Sequence, residues 1–151
     1  MNSSVMVLSC EHRNIPMEQK TKTQIYAEYL AKQGFHPEVV DSELVKFKSE
    51  GRIYAILTDE TDAEYHSIIL PNIWPIVSQE ERAKVQNACD TTNRTCKVAK
   101  LYTMDDNVWA VTEFFLQDPN DFQKIFSRLV STIHSAVKNF SNQLSPKEKA
   151  Q

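Results

Sequence analysis

Glycine is almost missing: two occur in 151 residues, Gly34 and Gly51. That scarcity excludes the dinucleotide fingerprint, the phosphate-cradling P-loop and the kinase Gly-rich loop, each of which needs several glycines at fixed spacing. Cysteine is scarce and odd in number; Cys10, Cys89 and Cys96 do not make the framework of a disulfide-stapled secreted domain. No apolar run approaches the ~18–20 residues of a spanning helix, so no membrane segment is expected. The opening MNSSVMVLSC resembles a lipoprotein cleavage box at Val7–Cys10 but lacks the positive n-region, and the expected location is the cytoplasm. There is no excess of positive charge, since 17 Lys and Arg stand against 20 Asp and Glu for a net −3. Nothing global therefore draws the chain to nucleic acid or an anionic surface.

What is present is pattern. Asn14-Ile15-Pro16 offers a helix entry, and Ile25, Tyr26, Tyr29 and Leu30 follow at helical spacing until Gly34 stops them, which predicts a helix over 17–33. Glu43–Lys48 and Arg52–Thr58 read as a hairpin about Ser49-Glu50-Gly51, and Glu64–Leu70 as a third strand. Ser78-Gln-Glu-Glu81 is a capping box, followed by the helical stripe Val85, Ala88, Cys89, Thr92 up to about Asn93. Cys96–Met104 and Val108–Leu116 form a second hairpin around Asp105–Asn107. The latter is apolar on both faces, as a strand covered on both sides would be. Asp118-Pro119 opens a final helix with the stripe Phe122, Ile125, Phe126, Leu129, Val130, Ile133, Val137, Phe140. The order α-β-β-β-α-β-β-α predicts one α+β domain over 17–140. Its expected architecture is a five-stranded antiparallel sheet with three helices, between a flexible N-terminal segment (1–16) and a loose tail (141–151).

Candidate chemistry is thin. His12, His36, His66 and His134 lack metal-ligand spacing, so no metal and no cofactor are expected. Cys89 lies on an apolar stripe, where a thiol packs as a small hydrophobe. The acidic clusters Asp59–Glu64 and Asp105-Asp106 fall in turns, where aspartate serves the backbone. A basic group of Lys46, Lys48, Arg52, Lys97 and Lys100, with Tyr54 or Tyr102 to stack a base, lacks any RNP-like motif, and no nucleic-acid partner is expected. No catalytic set emerges. The surplus of large apolar side chains (Tyr54, Ile56, Trp74, Ile76, Trp109, Phe115) points to a surface for another protein or for a second copy, so a homodimer is expected. Ile25, Tyr29, Tyr54, Ile56 and Trp74 are the contact candidates, with Trp74 placed between two prolines outside any regular element.

Over about Thr23–Phe140 the chain resembles the bacterial YbjN family of sensory transduction regulators. The resemblance is carried by the helix ending at Gly34, the hairpin ELVKFKSEGRIYAIL (Glu43–Leu57) and QEERAKVQNACDTTNRTCKVAKLYT (Gln79–Thr103), with Asn87 and Asn93 followed by Lys97 and Lys100. It continues through NVWAVTEFFL (Asn107–Leu116) and the closing helix. That family is similar in fold to small type III secretion chaperones. The resemblance implies a cytoplasmic, non-enzymatic, regulatory or chaperone-like protein that binds another polypeptide, with no catalytic residue to carry over. A dedicated type III secretion chaperone for an effector is the alternative it offers. The mild charge departs from the acidity of such chaperones. An enzyme or a nucleic-acid-binding protein would need constellations that this sequence lacks.

Overall fold

The computed structural model describes residues 18–145. Helix α1 (Lys22–Lys32) begins at Thr21, not at Met17 as the spacing predicts: residues 18–21 are non-helical, and the proposed Asn14–Pro16 entry lies outside the described residues. The physical reason is a capping box. Thr21 Oγ1 accepts from the Gln24 amide, and Gln24 Oε1 accepts from the Thr21 amide at 2.9 Å, satisfying two otherwise orphaned N–H groups. Gly34, at φ +88°, ends the helix.

The sheet has six strands, not five, in the order β1-β2-β3-β4-β6-β5 and antiparallel throughout. The added strand β1 (Glu38–Val39) pairs with Lys46 and Val45, and two residues are too few to show a period-2 pattern. The hairpin of β2 (Leu44–Ser49) and β3 (Arg52–Thr58) turns through Glu50 and Gly51, both at positive φ, as a tight two-residue connection requires. Strand β4 runs from Tyr65 to Pro75, well past Leu70, and Trp74 pairs with Val108 inside it. A bulge between Leu70 and Trp74, with Asn72 at φ +57°, absorbs Pro71 and lets pairing resume.

Helix α2 (Gln79–Thr95) starts at Ser78, whose hydroxyl accepts from the Glu81 amide. The Glu81 carboxylate does not return to Ser78. It accepts instead from the Val77 amide and from the Trp74 indole N–H at 3.1 Å, which ties β4 to the helix start. Because α2 continues to Thr95, strand β5 begins at Lys100 rather than Cys96 and ends at Met104. Asn93 then uses its side-chain amide as a piece of strand: Nδ2 donates to the Leu101 carbonyl and Oδ1 accepts from the Leu101 amide, each at 2.8 Å. Strand β6 (Asn107–Phe115) leads through a 3-10 turn at Pro119–Asp121 into α3 (Phe122–Leu144), which continues beyond Phe140.

All three helices pack on one face of the sheet. That face presents Val45, Phe47, Tyr54, Ile56, Ile68 and Leu70, all essentially inaccessible, to Tyr26 and Leu30 of α1 and to the Phe122–Phe140 stripe of α3. Each such side chain contributes about 1.5–3 kcal/mol relative to exposure. Covered on both sides was the prediction for β6, but only its Val108–Ala110–Thr112 face meets helices among the described residues.

Candidate functional site

Two histidines on the inner side of the sheet are each paired with a tyrosine. His66, fully buried on β4, has Nδ1 at 2.7 Å from the Glu64 carbonyl, so Nδ1 carries the proton and Nε2 accepts from the Tyr26 hydroxyl at 2.6 Å. Burial, opposed by the Glu64 carbonyl, holds the imidazole below its usual range, and burial pushes the Tyr26 phenol above its own. His134, on α3, repeats the arrangement with Tyr54 of β3 at 2.5 Å, and burial lifts Tyr54 to about 12. Glu50 stands 3.9 Å from the same Nε2, so carboxylate and phenol compete for one nitrogen instead of relaying a proton across the ring. Each pair fastens a helix to the sheet. Cys89 is pushed up to about 11 by burial, which disfavours the nucleophilic thiolate. Among the described residues no group of three or more metal-ligating side chains converges.

The concave surface lies along α3. At the Phe122 end a depression of about 120 Å³ is walled by Ile25, Tyr29, Lys32 and Pro119. Tyr29 also borders the next hollow, about 380 Å³, whose wall is Phe35, Phe126, Val130 and His134. His134 then borders a third, about 390 Å³, with Arg52, Leu70, Val137, Lys138 and Glu50. Shared walls make this one groove between α3 on one side and α1 and the β2–β3 turn on the other. With a rise of ~1.5 Å per residue over the helix that lines it, the groove is about 30 Å long. Its middle sets Phe35, Phe126 and Val130 among Gln33, Ser127, Ser131 and His134, and the far end carries Arg52 and Lys138 beside Glu50.

The convex surface is the other face of the sheet, which no described helix covers. Cross-strand registry arranges it in rows: Leu44–Leu57–Ser67–Glu113, then Lys46–Ala55–Ile69–Val111–Lys100, with Lys48–Ile53 and Trp109–Tyr102 beyond. Ile53 is 58% exposed there and Phe115 73%.

Of the residues singled out from sequence, Ile25 and Tyr29 line the groove at its helical wall. Tyr54 and Ile56 do not belong to any surface: both are fully buried beneath α3, because the alternate set Ile53, Ala55, Leu57 faces outward. Trp74 is half-buried, its ring edge-on to Phe140 with centroids 6.1 Å apart and its N–H held by Glu81. Arg52 and Lys138, the cationic end, carry no joint signal in the sequence. They come together only once α3 lies beside the hairpin.

No protein-family model matches the chain, and no curated protein matches it. Solved structures do share its fold. One is a chain of the heterodimeric ExoU–SpcU complex from the type III secretion system of Pseudomonas aeruginosa, with TM-score 0.54 at 14% identity over 80% of this chain and 98% of that one. Another is an uncharacterized protein from Methanothermobacter thermautotrophicus, with TM-score 0.54 at 12% identity over 82% of this chain and 99% of the other. At such identities the likeness is one of fold. The expected type III secretion-like architecture thus has structural neighbours, whereas the resemblance to the YbjN family has no family-model match. None of the described helices is long and apolar enough to cross a membrane.

Proposed function

We propose that this chain is a non-enzymatic, chaperone-like protein-binding module of the cytoplasm, working as a homodimer and regulatory in the manner of the YbjN family. One observation carries the reading: a groove along α3 with an apolar stretch at Tyr29, Phe35, Phe126 and Val130, in a molecule whose His66 and Cys89 are buried and whose His134 is bound to Tyr54. A groove of this length and character suits an amphipathic segment of a partner polypeptide, its apolar side chains on Tyr29, Phe126 and Val130 and an acidic end toward Arg52 and Lys138. The second reading, a dedicated type III secretion chaperone for an effector, is favoured by the ExoU–SpcU complex, a two-protein assembly from that system.

The test is differential capture from the native host with Ile25→Glu and Tyr29→Glu beside the unaltered chain. Both side chains also pack against the core, Tyr29 edge-on to Phe122 and Phe126, so circular dichroism establishes that each variant is folded before capture is compared. A partner retained by the parent is expected to be lost, with affinity lowered about tenfold or more for each anchor removed. Retention of the same proteins by both variants would refute the groove. If the captured protein is a secreted effector, the second reading replaces the first.

A further inference from the structure

The outer sheet face combines an apolar centre with opposite charges at its two sides, and this arrangement selects an occupant. Ile53, Ala55 and Leu57 of β3, Ile69 of β4 and Val111 of β6 make the centre. On the β2 side stand Lys46 and Lys48, both exposed and in no ion pair among the described residues, although Glu38 of β1 lies opposite Lys46. On the β6 side stand Glu113, which accepts from Tyr65, and Trp109. Lys100 of β5 turns away from the face, because its ammonium donates to the Asn93 and Cys96 carbonyls at 2.9 Å each.

We propose that this face is the interface between two copies of the chain, packed about a two-fold axis that runs along the strands between β3 and β4, so that Lys48 of each copy lies over Trp109 of the other and Lys46 over Val111, one row from Glu113. The inference rests on the self-association included in the proposed function and adds to it the surface, the axis and the pairs. A two-fold interface must be complementary to itself. An axis along the strands lays β2 over β6, which sets the Lys48 ammonium against the indole face of Trp109 and leaves the Lys46 ammonium one side-chain row, ~6.8 Å, from the Glu113 carboxylate. An axis across the strands would lay Lys46 on Lys46, and like charges oppose that solution. Aligned sheets pack within about 30° at ~10 Å separation, a geometry that this axis permits. Four strands ~4.8 Å apart, with three side-chain rows ~6.8 Å apart, give a footprint of roughly 400 Å² in projection. Side-chain relief raises that toward the ~800 Å² of accessible surface per partner in a stable interface.

Sedimentation equilibrium on the full chain tests the proposal, with circular dichroism to show that each variant is folded. The parent is expected to be dimeric at tens of micromolar. Lys48→Glu and Trp109→Ala are each expected to raise the dimer Kd about tenfold or more, and the two together to raise it by less than the product of the single effects. Ile53→Glu, at an already exposed position, is expected to raise it as well. A monomeric parent overturns both self-association and this interface, leaving the groove to be judged by its own capture experiment. A dimeric parent whose Kd none of these substitutions moves overturns the interface alone.

Discussion

Replacing Phe126 with alanine is expected to lower the unfolding free energy by about 3–5 kcal/mol, a large share of the ~5–15 kcal/mol of an ordinary domain. Phe126 is the hub of the interior. Its ring lies edge-on to Tyr29, Phe35 and Phe47, with centroids 5.6, 5.8 and 5.5 Å away, and tilted against Phe122 at 5.3 Å. Those four neighbours come from α1, the loop after it, β2 and the start of α3, so truncation opens a void where four parts of the chain meet. None can collapse into it alone. Tyr26 and Tyr54, stacked behind Phe122 and Phe47, are themselves tethered by hydrogen bonds to His66 and His134. Urea unfolding of the variant is expected to show a lower midpoint at unchanged slope, while Phe126→Leu, which keeps most of the volume, is expected to lose less than half as much. An alanine variant within 1 kcal/mol of the parent would mean that this cluster is not the packed centre of the fold.

Acidification supplies the second large effect. The folded chain holds His66 neutral: desolvation lowers its proton affinity, and its acceptor nitrogen is occupied by the Tyr26 hydroxyl. In the unfolded chain the same imidazole titrates near ~6.5. The unfolded state therefore takes up the proton first as pH falls. Stability from this site is fully present above that value and declines below it, with a limiting slope of about 1.4 kcal/mol per pH unit until the folded-state pKa is reached. The groups facing the ring are Tyr26 from α1, Phe114 from β6 and the Glu64 carbonyl, with Lys22 and Asp62 more distant, so no carboxylate stands ready to compensate the buried charge. Denaturant unfolding at several values between neutral pH and pH 5 is expected to show a steeper loss for the parent than for His66→Gln, whose amide keeps a donor and an acceptor without titrating. Identical pH profiles for the two proteins would show that His66 is not the acid-sensitive joint.

How far these features were readable from residues alone varies with their physical range. The cap at Ser78, the turn at Glu50–Gly51 and the apolar stripe of α3 depend on neighbours within a few positions, and each stands where its local chemistry puts it. The start of α1 is local as well: at Thr21 and Gln24 two side chains close the helix end reciprocally. RIYAILT is a harder case. It alternates Ile, Ala, Leu on one side with Tyr, Ile, Thr on the other, and nothing in the segment says which set α3 will cover. Of its two alternating faces, the one with Tyr54 and Ile56 is the buried one, and Ile53, Ala55 and Leu57 face outward, the reverse of the surface expected from sequence. β4 outruns its predicted end because a bulge, invisible to period-2 pattern, carries it past Pro71. The groove was half legible. Ile25 and Tyr29 stand out as apolar residues on a helix, but the wall opposite them exists only through contacts that reach across most of the chain.

The side-chain bracket from Asn93 to Leu101 has a bearing on how this protein can and cannot accumulate. The last strand of an open sheet is a vacant berth where an identical molecule can moor, and then another, without limit. Here the outward hydrogen-bonding positions at Leu101, near the start of that strand, already hold an amide from the molecule's own helix, so an incoming strand would first have to evict it. Fibre-like growth from this border is thereby discouraged, and encounters between copies are left to surfaces that close on themselves in a finite number.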